Sequence, residues 1–190
     1  MEPKIILRPL AEIDNHTLEI LKDSLVPTFS CPVEVKAQIS SLDYACNEER
    51  KQYLASRLLS TLRSFSMEPG DRCLGIVDVD LYAAGLNFIF GEADVNSGVA
   101  IISLYRLRQE RYGLPQDERL FHDRAIKEAV HELGHTYYLS HCPDVKCVMH
   151  FSNCLADTDI KGTGFCPKCQ QKLKEMRADA TATRNGSSLA

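Results

Sequence analysis

The 190-residue sequence has no tryptophan, and only 7% of its residues are aromatic. Nothing in it interleaves aromatic with basic residues, the pattern that stacks bases of single-stranded nucleic acid. It also lacks an excess of either charge: 22 Lys and Arg face 26 Asp and Glu, a net charge of -4. That excludes a general attraction for nucleic acid or for an anionic membrane surface, so no nucleic-acid and no membrane partner is expected. Long hydrophobic runs are missing too. Ile5-Ile6-Leu7 stops at Arg8, too short for a signal-peptide core. The run Val99-Ala100-Ile101-Ile102 falls far below the roughly 20 residues needed to span a bilayer. A cytoplasmic monomer with a single domain is the expectation. The remainder is globular in composition, 44% hydrophobic and 25% charged, and what stands out is 8 Cys and 6 His. In a reducing compartment thiols at short spacing read as metal ligands rather than disulfides.

Periodicity gives a coarse architecture. Ile5 to Leu7 reads as a strand, Ile13 to Leu25 as a helix, Pro32 to Val35 as a strand, and Tyr53 to Phe65 as a second helix with Leu54, Leu58, Leu62 and Phe65 on one face. Three strand-like runs follow, Leu74 to Leu81, Leu86 to Phe90 and Val99 to Tyr105, with Glu92 to Gly98 as a connection. A long helix is expected from Pro115, with Ile126, Val130, Leu133 and Tyr137 as its apolar stripe. After His141 regular periodicity fades. A short basic helix, Gln170 to Arg177, precedes a tail. The expected fold class is α/β: a mixed twisted sheet with packed helices and a long active-site helix. Residues 1–141 would form the sheet-and-helix part, 142–178 a small cysteine-rich, zinc-stabilised C-terminal part, and 179–190 a flexible tail.

The long helix carries His131-Glu132-Leu133-Gly134-His135. A spacing of four places the two imidazoles about 40° apart around the helix and one turn apart, close enough to share a zinc ion. Glu132 lies beside them, positioned as a general base rather than a ligand. His141 would sit about 9 Å further along and about 240° around if the helix continued, so the helix must end soon after His135. Once the chain folds back, His141 completes three protein ligands and leaves the fourth position open, as catalytic zinc requires.

Together with Cys142, Cys147, Met149, Cys166 and Cys169, these residues resemble the archaemetzincins, a compact branch of the metzincin metalloproteases. The motif spans 39 residues. The resemblance implies a metzincin-like fold, peptide-bond hydrolysis with Glu132 as base, a Met-containing turn at Met149, and a second, structural zinc on four cysteines. It also makes Val99 to Tyr105 the edge strand along which peptide would bind. One position departs from the pattern: Tyr138 stands where metzincins have glycine. A positive φ there costs a non-glycine residue about 1–2 kcal/mol, so a different turn and a packing role for Tyr138 are expected.

The cysteines agree on spacing alone. Cys142 and Cys147 form one short pair and Cys166-Pro167-Lys168-Cys169 another, bridged by 18 residues. Four thiolates make a closed tetrahedral site. With the His site, that gives two zinc ions per chain. Cys154 lies inside the bridge as a competitor but reads better as a free thiol, and Cys31, Cys46 and Cys73 as small core residues. His16 is expected on the surface, and His122 and His150 on the surface or behind the metal ligands. A rival reading, a zinc-stabilised nucleic-acid or protein-binding module, draws on the basic run Lys161, Lys168, Lys172, Lys174 and Arg177. A third keeps the site as a peptide-binding scaffold with weak catalysis.

Overall fold

A computed structural model describes residues 2–39 and 41–186, with side chains up to 178. The main sheet contains β1 (Ile5–Pro9), β2 (Val33–Val35), β5 (Arg72–Val77), β7 (Gly91–Asp94) and β8 (Val99–Ser103), in the order β2-β1-β5-β8-β7. All neighbours are parallel except β7, which runs antiparallel to β8. A small second sheet joins β3 (Cys46–Asn47), β4 (Gln52–Leu54) and β6 (Leu81–Tyr82).

The central strands are apolar on both faces because helices cover both. Ile5, Leu7, Leu74, Ile76, Ala100 and Ile102 point into one buried cluster, while Ile6, Cys73, Val77, Val99 and Ile101 point into the other. The first cluster is closed by α1 (Asn15–Phe29) and α3 (Glu118–Thr136), the second by α2 (Ala55–Arg63). Asp14 caps α1 by accepting from Thr17 N at 2.9 Å. Gly75 lets α2 approach the sheet, since a Cβ there would lie 2.5 Å from Leu62 Cδ1. Two further helices follow, α4 (Leu155–Ile160) and α5 (Pro167–Gly186). The helix read as Gln170 to Arg177 runs from Pro167 on to Gly186, into the stretch expected as a tail from 179; side chains from 179 onward and residues 187–190 lie outside what is described.

Several expectations need correction. Val99 to Tyr105 is not an edge: β8 lies between β5 and β7, and β7 is the edge strand. Residues Glu92 to Gly98 are not merely a connection, because Gly91–Asp94 pairs with Val99–Ile102 as a hairpin whose turn ends at Gly98 with φ 68°. Leu86 to Phe90 forms only one isolated bridge, Ile89 to Leu81. The run from Leu74 to Leu81 divides between β5 and β6 in different sheets, and the helix read from Tyr53 begins at Ala55. Pro115 lies ahead of α3, which starts after Asp117, the cap that accepts from Leu120 N at 2.9 Å.

Candidate metal centre

The buried α3 carries His131, Glu132 and His135 toward a cleft of about 570 Å³ whose walls include Phe88, Phe90 and Ala93. The helix ends at Thr136, as the position of His141 requires. Tyr138 takes φ 60°, a left-handed turn, and the next residue closes it with Leu139 N donating to Gly134 O at 3.2 Å. Arg72 Nε donates to Thr136 O at 3.0 Å and so satisfies another terminal carbonyl. The expectation for Tyr138 is therefore corrected: the residue adopts the positive φ, and its side chain is 53% exposed rather than packed.

This turn brings His141 back to the helix. His131, His135 and His141 each offer a ring nitrogen, and these atoms lie within 4.8 Å of one another. The hydrogen bonds behind them fix which nitrogen is free. His131 Nδ1 is 2.8 Å from Val148 O and His135 Nδ1 is 2.7 Å from Leu139 O. A carbonyl only accepts, so both Nδ1 atoms carry hydrogen and each neutral ring presents a lone pair at Nε2. The two Nε2 atoms face each other at 3.1 Å. Two converging lone pairs repel unless a cation lies between them, and the separation suits two nitrogens on one zinc at about 2.0–2.1 Å each. The donor set therefore fits zinc. Burial keeps the rings neutral, as ligands must be: it pushes His131 well below the usual histidine value and lowers His135 and His141.

Glu132 is buried beside them and lines the cleft. Burial holds its carboxyl well above the usual range, Glu128 and Glu92 add to that, and Lys161 opposes it. Gly91 on the edge strand makes room, since a Cβ there would meet Glu132 Cγ at 2.5 Å. Gly134 does the same below the site, where a Cβ would lie 2.5 Å from Met149 Sδ. Met149 thus packs directly against α3 at Gly134.

Cys142, Cys147, Cys166 and Cys169 converge as a second group with all four sulfurs within 4.8 Å. Cys142 Sγ and Cys166 Sγ are 3.8 Å apart, and Cys166 N donates to Cys147 Sγ at 3.3 Å. Cys154 is exposed and outside the group, at the N-terminus of α4. Cys31 and Cys73 are buried, whereas Cys46 is half-buried. His16 is exposed and packs edge-on to His122, and His150 Nδ1 donates to Cys142 O at 2.8 Å.

The description of peptidase family M54 matches residues 14–175. The archaemetzincin of Pyrococcus abyssi is 45% identical over 177 residues, covering 90% of this chain and 94% of the relative. The chain belongs to peptidase family M54, the archaemetzincins. The archaemetzincin of Methanocaldococcus jannaschii is 39% identical, with 90% and 93% covered. The solved archaemetzincin of Methanopyrus kandleri superposes with a TM-score of 0.80 at 37% identity, covering 92% of this chain and 95% of that one. That of Archaeoglobus fulgidus gives 0.77 at 37%, with 89% and 99% covered. The α/β metzincin-like fold and the zinc metallopeptidase class follow from this membership, and with them a peptide or protein substrate.

The archaemetzincin site contains three residues that spacing did not reveal. Glu128, Glu92 and Lys161 all line the cleft. Glu128 precedes Glu132 by one turn on the same helix face, a signal the sequence did carry. Glu92 sits on the unrecognised edge strand, its carboxyl raised by burial and its Oε2 enclosed without a hydrogen-bond partner among the described residues. Lys161 was read as part of an exposed basic run, yet is 2% exposed. The binding-module reading loses its first lysine, and Arg177 is engaged as well, with Nη2 donating to Ser30 O at 3.0 Å.

Tyr138 offers a clean test of the turn. Replacing it by glycine removes left-handed strain of about 1–2 kcal/mol at a chain-entropy cost of about 0.5–1 kcal/mol. The variant should gain up to about 1.5 kcal/mol in urea titration with an unchanged m-value. A loss of stability would mean that the exposed phenol makes contacts worth more than the strain.

Proposed function

We propose that this archaemetzincin hydrolyses peptide bonds at a zinc ion held by His131, His135 and His141, with Glu132 as general base. Cys142, Cys147, Cys166 and Cys169 would hold a second, structural zinc. The observation that carries the reading is the convergence of two Nε2 lone pairs at 3.1 Å beside a buried carboxylate. When bound, zinc supplies Lewis-acid polarisation of the scissile carbonyl and acidifies the attacking water. Glu132 takes a proton from that water and delivers it to the leaving amine. Backbone groups of edge strand β7 pair with extended peptide and hold the scissile bond over the cleft. Residues 1–141 supply this machinery, and 142–178 form the part that the structural zinc fixes.

Two measurements test the proposal. Elemental analysis of unchelated protein should find about two zinc ions per chain, and one or none would sink the two-site reading. Exposure to a diverse peptide library should yield cleavage that dipicolinate or another zinc chelator abolishes. Cleavage surviving complete zinc removal would overturn the mechanism.

A further inference from the structure

Glu92 lies within edge strand β7, and the register fixes the face it occupies. Gly91 and Ala93 pair with Ile102 and Ala100, which enter the cluster closed by α3, whereas Glu92 and Asp94 pair with Ile101 and Val99, which enter the cluster closed by α2. Laterally paired residues share a face of the sheet. The strand therefore turns Gly91 toward Glu132, where a Cβ would meet Cγ at 2.5 Å, and sets two carboxylates on the opposite face. Asp94 is balanced by Arg63, whose Nη1 lies 2.7 Å from its Oδ2. Glu92 is half-buried and lines the cleft, yet its carboxylate has no ion pair or hydrogen bond among the described residues. Of its two oxygens only Oε2 is enclosed, so Oε1 is open to a partner. Burial and the charge of Asp94 both raise the carboxyl, and no cation opposes them. An acidic residue on an edge strand can serve merely to keep other chains from pairing there. Such a charge works best fully solvated, and that role does not explain an unbalanced carboxylate half withdrawn from water beside Gly91.

We propose that Glu92 is a specificity-determining residue that receives the cationic side chain of a substrate lysine or arginine within two residues of the scissile bond. This rests on the hydrolytic reading of the site and on the pairing of extended peptide with β7. A peptide strand added to β7 lies about 4.8 Å from it, and its side chains alternate between the Gly91 face, over Glu132, and the Glu92 face. Residues directly opposite each other hold their Cβ atoms about 4.5–5.5 Å apart, a gap that a lysine or arginine head group spans to reach Oε1. Gly91 abuts Glu132 and Glu92 follows it in the strand, so the substrate residue beside Glu92 flanks the bond to be cut. A pair formed there is partly shielded from water and discriminates more than a fully exposed one. Because the cation docks on the face away from Glu132, it leaves the general base free.

Binding rather than turnover is the readout. Short peptides with a zinc-chelating hydroxamate at one end or the other are titrated into zinc-loaded protein by calorimetry. Lysine or its neutral analogue acetyl-lysine is placed at each of the two positions next to the hydroxamate. Those with a C-terminal hydroxamate are made with a free and an acetylated N-terminus, which separates a side-chain ammonium from a terminal one. At one position lysine should bind at least fivefold tighter than acetyl-lysine with the N-terminus blocked. That preference should vanish in Glu92→Gln and persist in part in Glu92→Asp, with zinc content unchanged. Equal affinity of lysine and acetyl-lysine at every position in the wild-type chain would overturn the subsite, and this comparison needs no variant to fold. A preference that survives in Glu92→Gln, or one carried only by a free N-terminus, would also overturn it. Failure of every hydroxamate to bind zinc-loaded protein would instead remove the open metal position, and with it the hydrolytic reading.

Discussion

Replacing Glu132 by glutamine is expected to lower turnover about 10³-fold, within the range that general acid–base catalysis contributes, while zinc content and fold stay intact. Glutamine preserves the shape of a side chain that Gly91 contacts closely, so packing changes little. The electrostatics give the variant a signature. In the zinc-free chain, burial raises the Glu132 carboxyl well above its ordinary value, and the charges of Glu128 and Glu92 add to this, with Lys161 opposing. A carboxylate whose folded pKa is raised contributes stability when protonated and loses it as pH rises through its unfolded value toward the folded one. At neutral pH its ionisation works against folding, and the neutral amide removes that cost. With the histidine-site zinc removed from both proteins, the melting temperature of Glu132→Gln at pH 7 should therefore hold or rise relative to wild type, while activity of the zinc-loaded variant collapses. Turnover within tenfold of wild type would take Glu132 out of the chemistry.

What could be read in advance follows from how local each feature is. His131, Glu132 and His135 were legible because helical geometry alone fixes their relation, and the same geometry forced the helix to stop before His141. Two short cysteine spacings were equally local. The edge strand was not: Gly91, Glu92, Ala93 and Asp94 are all half-buried, so no alternation of polar and apolar residues announces them. Its strand character comes from pairing with β8, a tertiary fact. Tyr138 was misjudged because its local cost was weighed without the bonds that offset it: Leu139 to Gly134, Arg72 to Thr136, and His135 Nδ1 to Leu139 O. The left-handed residue is what places the Leu139 carbonyl against His135. Lys161 lay in a stretch without periodicity, where a lysine reads as surface by default. Only the fold reveals that it faces Glu128 across the cleft wall.

Disrupting the four-cysteine site is expected to cost both metals rather than one. Cys142 follows His141 directly, so one proposed thiolate ligand and one proposed imidazole ligand are joined by a single peptide bond. A second arm lies on the other side: Cys147 precedes Val148, whose carbonyl accepts from His131 Nδ1 at 2.8 Å. The two arms are tied together, since Cys142 N donates to Met149 O at 2.9 Å and Val148 N to Gly164 O at 2.9 Å, two residues before Cys166. A structural zinc contributes on the order of 10 kcal/mol to folding, comparable with the whole stability of a domain. Losing it frees His141 and withdraws the acceptor that orients His131. Outer-shell partners of this kind are worth 10–100-fold in metal affinity. Cys147→Ser should thus bind less than one zinc per chain and lose peptide cleavage, although it touches no group at the hydrolytic centre. His135→Ala is the contrasting case. It removes one imidazole and leaves the cysteine site and its supporting bonds whole, so it should retain one zinc and a cooperative melt. The asymmetry is the test: a Cys147→Ser protein that keeps one tightly bound zinc and full turnover would show that the histidine site stands without the cysteine site beneath it.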